Sequence, residues 1–270
     1  MGTEENTRVN VVCLKYGNRY PAYYVNRLYQ GVKRNLSRPF RFVCVTDNAE
    51  GLLPDVETVP LPENPDVQGR PWPNIFIKLL LFRKGFADLT GPTLFLDVDL
   101  IVCGPLDRFF EYRPGDFCII YNWIERRKRI FRNVPEIGNS SCFRFDAGSD
   151  VANRVYEIFM RDKGSKELWS VYLANGSQKF QTRAMREAGR VSWWPDAWVC
   201  SFKRQCIPMF PFNKFIVPRF RKGASIIAFH GRPDIPEVID GYSAGGTFRT
   251  THLTCLPTPW VKNLWEKGEM

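Results

Sequence analysis

Two short stretches of the chain hold side chains whose types and spacing could do chemistry. The first is Leu94-Phe95-Leu96-Asp97-Val98-Asp99-Leu100-Ile101-Val102, an apolar run interrupted by two carboxylates. A buried charge without a partner is costly, so carboxylates in such a run need a counter-charge or water. In an extended chain a spacing of two directs both side chains to the same side. A hard divalent cation would satisfy both carboxylates and could in turn bridge a diphosphate. The second stretch is Ala228-Phe229-His230-Gly231-Arg232-Pro233, which follows the apolar run Ser225 to Phe229. A neutral imidazole at His230 can complete the coordination of Mn²⁺ beside two carboxylates. Gly231 allows close backbone approach, and Arg232 can neutralise a phosphate. Either stretch alone has a plain alternative, a solvated strand end for the aspartates and a structural role for the histidine. Together they point to the metal complex of a diphosphate.

Such a site needs elements to position it. Val9 to Leu14 is a short run rich in β-branched residues and predicts a buried strand. Pro21 opens a predicted helix with Tyr24, Val25 and Leu28 on one face. Phe40 to Thr46 predicts a second strand, ending at Asp47-Asn48, and Leu52 to Asp66 a short strand followed by a proline-rich loop. Ile75 to Phe86 predicts a helix, after which Gly91-Pro92 turns the chain into the strand Thr93 to Leu96. This alternation argues for a parallel α/β sheet, whose ligands bind beyond the carboxyl ends of the strands. Lys15, Tyr16, Asp47 and Asp97 all fall at such ends. Further on, Asp116 to Tyr121, Ser141 to Phe145 and Ser225 to Phe229 predict strands, and Val151 to Met160 and Gln178 to Ala188 predict helices.

Composition bounds the partners. The chain has 270 residues, 44% of them hydrophobic and 24% charged, as in an ordinary globular protein with a sizeable core. Its net charge of +10 favours anionic partners such as nucleotide phosphates, acidic glycans, anionic membranes or nucleic acid. No nucleic-acid recognition motif accompanies that charge. The start is polar and acidic, and no apolar run approaches the roughly 18 residues of a spanning helix. The chain is therefore expected in the cytoplasm. The eight cysteines, mostly in apolar strand-like segments, predict buried reduced thiols. The basic run Arg126-Arg127-Lys128-Arg129, interleaved with Trp123, Ile124, Ile130 and Phe131, is either a solvated face or a lip for an anionic membrane at its inner face, which Arg219 and Arg221-Lys222 could extend. Trp193-Trp194-Pro195-Asp196-Ala197-Trp198 offers stacking platforms for a sugar ring, although core packing suits at least two of its three tryptophans.

In their order along the chain, the Asp97-Val98-Asp99 and His230-Gly231-Arg232-Pro233 elements resemble the GT-A glycosyltransferases of family 8, the glycogenin and lipopolysaccharide galactosyltransferase type, and related bacterial sugar transferases. The resemblance implies an α/β, nucleotide-diphospho-sugar transferase fold with a mostly parallel central sheet flanked by helices. It implies a single domain over residues 1–270, with a nucleotide-binding half at 8–103 and a smaller acceptor-side half at 104–270. Lys15, Tyr16, Tyr20 and Asp47 would hold the base and ribose. Lys78, Val98, Gly231 and Arg232 would meet the rest of the donor, and Asp97, Asp99 and His230 would hold Mn²⁺ or Mg²⁺. Gly138-Asn139-Ser140-Ser141 is similar to the family's sugar-lining strand, and Asn175-Gly176-Ser177-Gln178 to its Asp-Gln element. Asn139 and Gln178 would then border the transferred sugar. Ser141 and Ser177 depart from the family's usual Gly and Asp. The implied reaction is metal-dependent transfer from a UDP-linked sugar to a saccharide or lipid-linked saccharide hydroxyl, with retention. An inverting relative would need a carboxylate base, for which Asp196 is the candidate. A sugar-nucleotidyltransferase shares the sheet but would open on a glycine-rich loop, which Leu14-Lys15-Tyr16-Gly17 lacks. A basic nucleic-acid or membrane-binding module remains as a non-enzymatic alternative.

Overall fold

Val9–Lys15 (β1), buried along its whole length, is the strand around which the larger sheet is built. In the computed structural model, which describes residues 8–65, 74, 76–125, 136–165, 177–245 and 251–267, β1 pairs in parallel with Phe40–Thr46 (β2) and with Gly91–Leu96 (β4). Glu57–Pro60 (β3) adds a parallel edge beyond β2. On the other side Gly138–Ala147 (β7) runs antiparallel to β4, Phe117–Tyr121 (β6) antiparallel to β7, and Val191–Trp193 (β8) parallel to β6. The order is β3-β2-β1-β4-β7-β6-β8. Strands covered on both faces read as continuous apolar runs, which is why β1, β2, β4 and β6 stand out in the sequence. A second sheet joins Leu100–Val102 (β5), Ile226–Ala228 (β10) and Val199–Ser201 (β9) in the order β5-β10-β9.

The chain divides into two units. The first comprises Met1–Val25, Arg38–Asp97 and Asp107–Trp194 and contains the seven-stranded sheet. Its core is built on aromatic rings, with Phe95 and Phe143 stacked at 4.8 Å and Phe82 at 4.5 Å from Phe145. Helices Asp150–Asp162 and Ser177–Ala188 add Phe159 and Phe180 to that core. The Ser149 side chain caps the first of these helices by accepting from the Ala152 N–H at 3.1 Å. The second unit comprises Asn26–Ser37, Val98–Leu106 and Pro195–Met270 and contains the three-stranded sheet. All eight cysteines are thiols, seven of them buried. Among the described residues no helix is long and apolar enough to cross a membrane.

Three expectations need correction. The helix expected over Ile75 to Phe86 is helical only at Ile77–Leu80, followed by tight turns and Gly85 at φ 76°. Phe76, Ile77, Leu79, Leu80, Leu81 and Phe82 are all buried. Apart from Lys78, that segment is apolar on every side and is wrapped by the core rather than laid on it. Gly91-Pro92 is not a turn before β4 but its first two residues. Asp97 and Asp99 do not share one side of a continuous strand either. β4 ends at Leu96, Val98 and Asp99 form a turn, and β5 begins at Leu100. The chain leaves one sheet and enters the other across these three residues, so the alternation of a single strand does not apply to them.

Candidate active site

Three polar side chains stand at the carboxyl ends of adjacent parallel strands. Lys15 is the last residue of β1, Asp47 follows β2, and Asp97 follows β4. The segments after β1 and β2 are tied together. The Gly17 N–H donates to Asp47 Oδ2 at 2.8 Å, and Lys15 Nζ donates to the Asn48 carbonyl at 3.1 Å. Gly17 takes φ 63°, a conformation that suits glycine at this turn. Between these segments lies a cleft of about 340 Å³ lined by Lys15, Gly17, Asn18, Tyr20, Pro21, Ala22, Asp47, Asn48 and Glu50. The guanidinium of Arg19 sits over the Tyr20 ring at 5.0 Å. Tyr16 packs against the core, and its phenol is pushed up by burial and then by the charge of Asp97. The structure thus brings Lys15, Tyr20 and Asp47 to one cleft, while Tyr16 packs on the core within reach of the charge of Asp97.

Asp97 is gripped from its own unit. Lys78 Nζ, on the helix Ile77–Leu80, donates to Asp97 Oδ1 at 2.6 Å and to the Ser140 carbonyl at 3.1 Å. The same ammonium lies 4.8 Å from the centroid of Phe95. The Asp97 N–H continues the ladder to the Ser141 carbonyl at 2.9 Å, and the buried Asn139 side chain accepts from the Ser141 N–H at 3.0 Å. Gln178, in the first turn of the helix Ser177–Ala188, accepts from Asn122 Nδ2 at 3.2 Å. Thr182 binds that turn to the start of β7 by donating to the Gln178 carbonyl and accepting from the Gly138 N–H, each at 2.8 Å. Asn139 and Gln178 therefore lie at the same end of the sheet as Asp97. Asn122 was not anticipated. It follows the apolar strand β6 just as Asp97 follows β4, and that shared position is the signal that could have revealed it.

The second unit carries the other predicted residues. Asp99 is buried, and its carbonyl accepts from the Phe229 N–H at 3.1 Å, placing its backbone next to His230. His230 Nε2 is hydrogen-bonded to Ser201 Oγ at 2.7 Å. Burial, then Lys203 and Arg204, push the imidazole down to about 3, so it is neutral at physiological pH. Lys203 Nζ donates to the carbonyls of His230 and Arg232 and so clasps the segment on which Gly231, at φ 77°, turns the chain. Burial and Arg204 lower the Lys203 ammonium while Asp99 supports its charge. Lys203 is thus a second residue missed in the sequence. Nothing local distinguishes it, because its role depends on carbonyls 27 and 29 residues away. Arg232 is exposed and lies 3.5 Å from Glu237. Asp196 does not join His230. It precedes β9 while His230 follows β10, and these strands are parallel. Asp196 lines instead a cleft of about 480 Å³ with Gln205, Arg221 and Lys222.

The donor chemistry of Asp97, Asp99 and His230 suits a hard divalent cation, with two carboxylates and an imidazole that is already neutral. Among the described residues, however, no group of three or more His, Cys, Asp or Glu side chains is arranged to hold a metal ion as it stands. Trp194 is core, its indole N–H donating to the Cys142 carbonyl at 3.2 Å, and Trp193 packs on that core. Arg126, Arg127, Lys128 and Arg129 lie outside the described residues, as do Asn175 and Gly176, and the membrane contact expected of that basic run gains no support.

No family model matches the chain, and no curated protein matches it in sequence. Solved structures do match. The apo bifunctional glycosyltransferase WbbM superposes with a TM-score of 0.59 at 14% identity, over 87% of this chain and 48% of that one. The chain thus spans about half the length of WbbM. The galactosyltransferase LgtC, solved with donor and acceptor sugar analogues, matches with a TM-score of 0.52 at 13% identity, over 84% of this chain and 88% of that one. The glycosyltransferase GlyE of Streptococcus pneumoniae TIGR4 matches with a TM-score of 0.52 at 15% identity, over 83% and 56%. At such identities the likeness is one of architecture, and the chain has the GT-A fold of these glycosyltransferases, a mixed α/β sheet flanked by helices.

Proposed function

We propose that the chain moves a sugar from a nucleoside diphosphate donor, UDP-linked, to a hydroxyl of a saccharide or lipid-linked saccharide, with retention of configuration. The observation that carries this reading is the convergence of Lys15, Asp47 and Asp97 at the carboxyl ends of β1, β2 and β4, with Lys78 closing on Asp97 at 2.6 Å. That edge is where open α/β sheets take their ligands. Residues 8–103 form the nucleotide-binding half of one catalytic domain in this reading, and 104–270 its acceptor-side half.

In the cleft, Tyr20 offers a face to the base while Lys15 and Asp47 meet the ribose, with Tyr16 beside them. Lys78 meets the diphosphate, with Val98 and Gly231 allowing the donor to approach the backbone. Arg232, exposed on its turn, is free of burial cost and neutralises the departing phosphate charge. Asp97, Asp99 and His230 are the proposed ligands of Mn²⁺ or Mg²⁺, which when bound supplies Lewis-acid neutralisation of that diphosphate. Asn139 and Gln178 orient the sugar, Gln178 through an amide already positioned by Asn122. Inversion would require a carboxylate base, and the one candidate, Asp196, sits at the far end of its own sheet from His230. Retention is therefore the reading adopted.

Thermal-shift measurements across nucleotide sugars, with and without Mn²⁺, test the proposal. It expects metal-dependent stabilisation by one family of nucleoside diphosphates. No stabilisation by any member of the panel would overturn it. NMR of the product anomer tests retention separately, and an inverted product would sink that part alone.

A further inference from the structure

Six basic residues and no acidic one lie between positions 203 and 222, namely Lys203, Arg204, Lys214, Arg219, Arg221 and Lys222. Inside this stretch Met209, Phe210, Phe212, Phe215, Ile216 and Val217 are all exposed, Met209 at 80% and Phe215 at 76%. A single exposed apolar side chain is ordinary, but six within nine positions mark an interaction surface.

The loop that presents them is held in shape. Its one buried member, Asn213, donates through Nδ2 to the carbonyls of Thr251 at 2.9 Å and Thr254 at 2.8 Å. Around that anchor the Phe212 N–H donates to the Met209 carbonyl at 2.9 Å and the Phe215 N–H to the Phe212 carbonyl at 3.0 Å. The neck is closed by the Arg219 N–H on the Cys206 carbonyl at 3.0 Å and by the Trp260 indole on the Pro218 carbonyl at 2.8 Å. Asn213 thus points inward while Lys214 and the apolar members point out, the reverse of ordinary burial for the apolar side chains. A loop already ordered also loses little entropy on docking.

We propose that this loop, residues 209–217, docks the protein on an anionic lipid surface. Met209, Phe212 and Phe215 enter the boundary between headgroups and acyl chains, while Lys214, Arg219, Arg221 and Lys222 meet the lipid phosphates. The charge pattern decides the occupant. A second copy docked on the same patch would set like cations against each other, a destabilising arrangement in a symmetric interface. An anionic bilayer satisfies the cations and the apolar side chains together. This inference stands on the second unit's surface and is independent of the transferase reading.

Co-sedimentation of the whole chain with phosphatidylcholine vesicles, with and without phosphatidylglycerol, tests it. Binding is expected to the anionic vesicles and to fall with added salt. Phe212→Ser combined with Phe215→Ser should lower the partition coefficient roughly tenfold or more. Lys214→Gln and Arg219→Gln should each lower it about fivefold. The altered side chains are exposed, so thermal midpoints should stay at the parent value, which separates lost docking from lost folding. Absence of binding, binding indifferent to the two phenylalanines, or equal binding to neutral vesicles would overturn the proposal. So would a self-association, seen by sedimentation velocity, that the paired serine substitutions abolish while leaving vesicle binding intact.

Discussion

Lys78 and Arg144 are two cations of the same seven-stranded unit, and their surroundings differ in kind. Arg144 lies in β7 and is only 1% exposed. Its guanidinium donates to the carbonyls of Phe109 at 2.7 Å, Tyr112 at 2.6 Å, Arg113 at 2.6 Å and Asp116 at 3.3 Å, with Trp194 5.8 Å away. Apart from the Cys118 thiol at 3.4 Å, its partners are backbone carbonyls, so the charge fastens one stretch of chain and meets no carboxylate it could exchange. Lys78 instead meets a carboxylate, and its side chain is 17% exposed against 25% for Asp97. A buried cation spent on carbonyls is architecture. A cation paired with a carboxylate near solvent, at the carboxyl end of a parallel strand, is placed to change partners when a ligand arrives.

Breaking Arg144 should produce the largest effect on stability. Arg144→Met leaves four or more carbonyls without their donor and should cost about 3–5 kcal/mol in urea unfolding. Arg144→Lys should rescue only part of this, since one ammonium cannot span the carbonyls a planar guanidinium reaches. Asp97→Asn should do the opposite. Its unfolding midpoint should stay close to the parent, while turnover with nucleotide sugar and Mn²⁺ falls roughly 10³-fold. Unfolding of Asp97→Asn as deep as that of Arg144→Met would erase the distinction between the two cations. Lys78→Met comes next, with a loss of roughly 10²-fold in kcat at nearly unchanged stability.

Legibility in the sequence follows the same division. Strands β1, β2, β4 and β6 declare themselves because burial on both faces demands unbroken apolar runs. By its apolar pattern strand β7 shows only its middle, since it opens on Gly138-Asn139-Ser140, which only the family resemblance marks as strand. The positions of Asp97 and His230 beyond the ends of apolar runs were legible, because polar side chains there need a reason. The turn at Val98-Asp99 was not, because it exists only where the chain passes between two sheets. Lys203 and Arg144 look like any other basic residues, as their partners are remote in the chain. The outward-facing segment 209–217 gives no signal in the sequence, since apolar composition carries no record of which side chains the fold leaves in water.

An exposed limit completes the comparison. Arg161 bonds Asp162 at 2.7 Å and Glu187 at 2.9 Å, and Arg183 meets both carboxylates as well, linking the helices Asp150–Asp162 and Ser177–Ala188 at the surface. The Arg161 hydrogen bonds hold both carboxyls below their ordinary values, those of Asp162 and Glu187 alike. A carboxyl depressed in the folded state stabilises fully above its unfolded value and loses that contribution as pH falls through the folded one. Arg161→Gln should therefore lower the thermal midpoint slightly at neutral pH, and the gap from the parent should close on acidification below about pH 4. Added salt should shrink the gap as well, because exposed pairs are screened by solvent and ions. This effect should be the smallest of the series. A gap that persisted in acid would mean that Arg161 acts by packing its stem, as Arg144 acts through its carbonyls, and not through its charge.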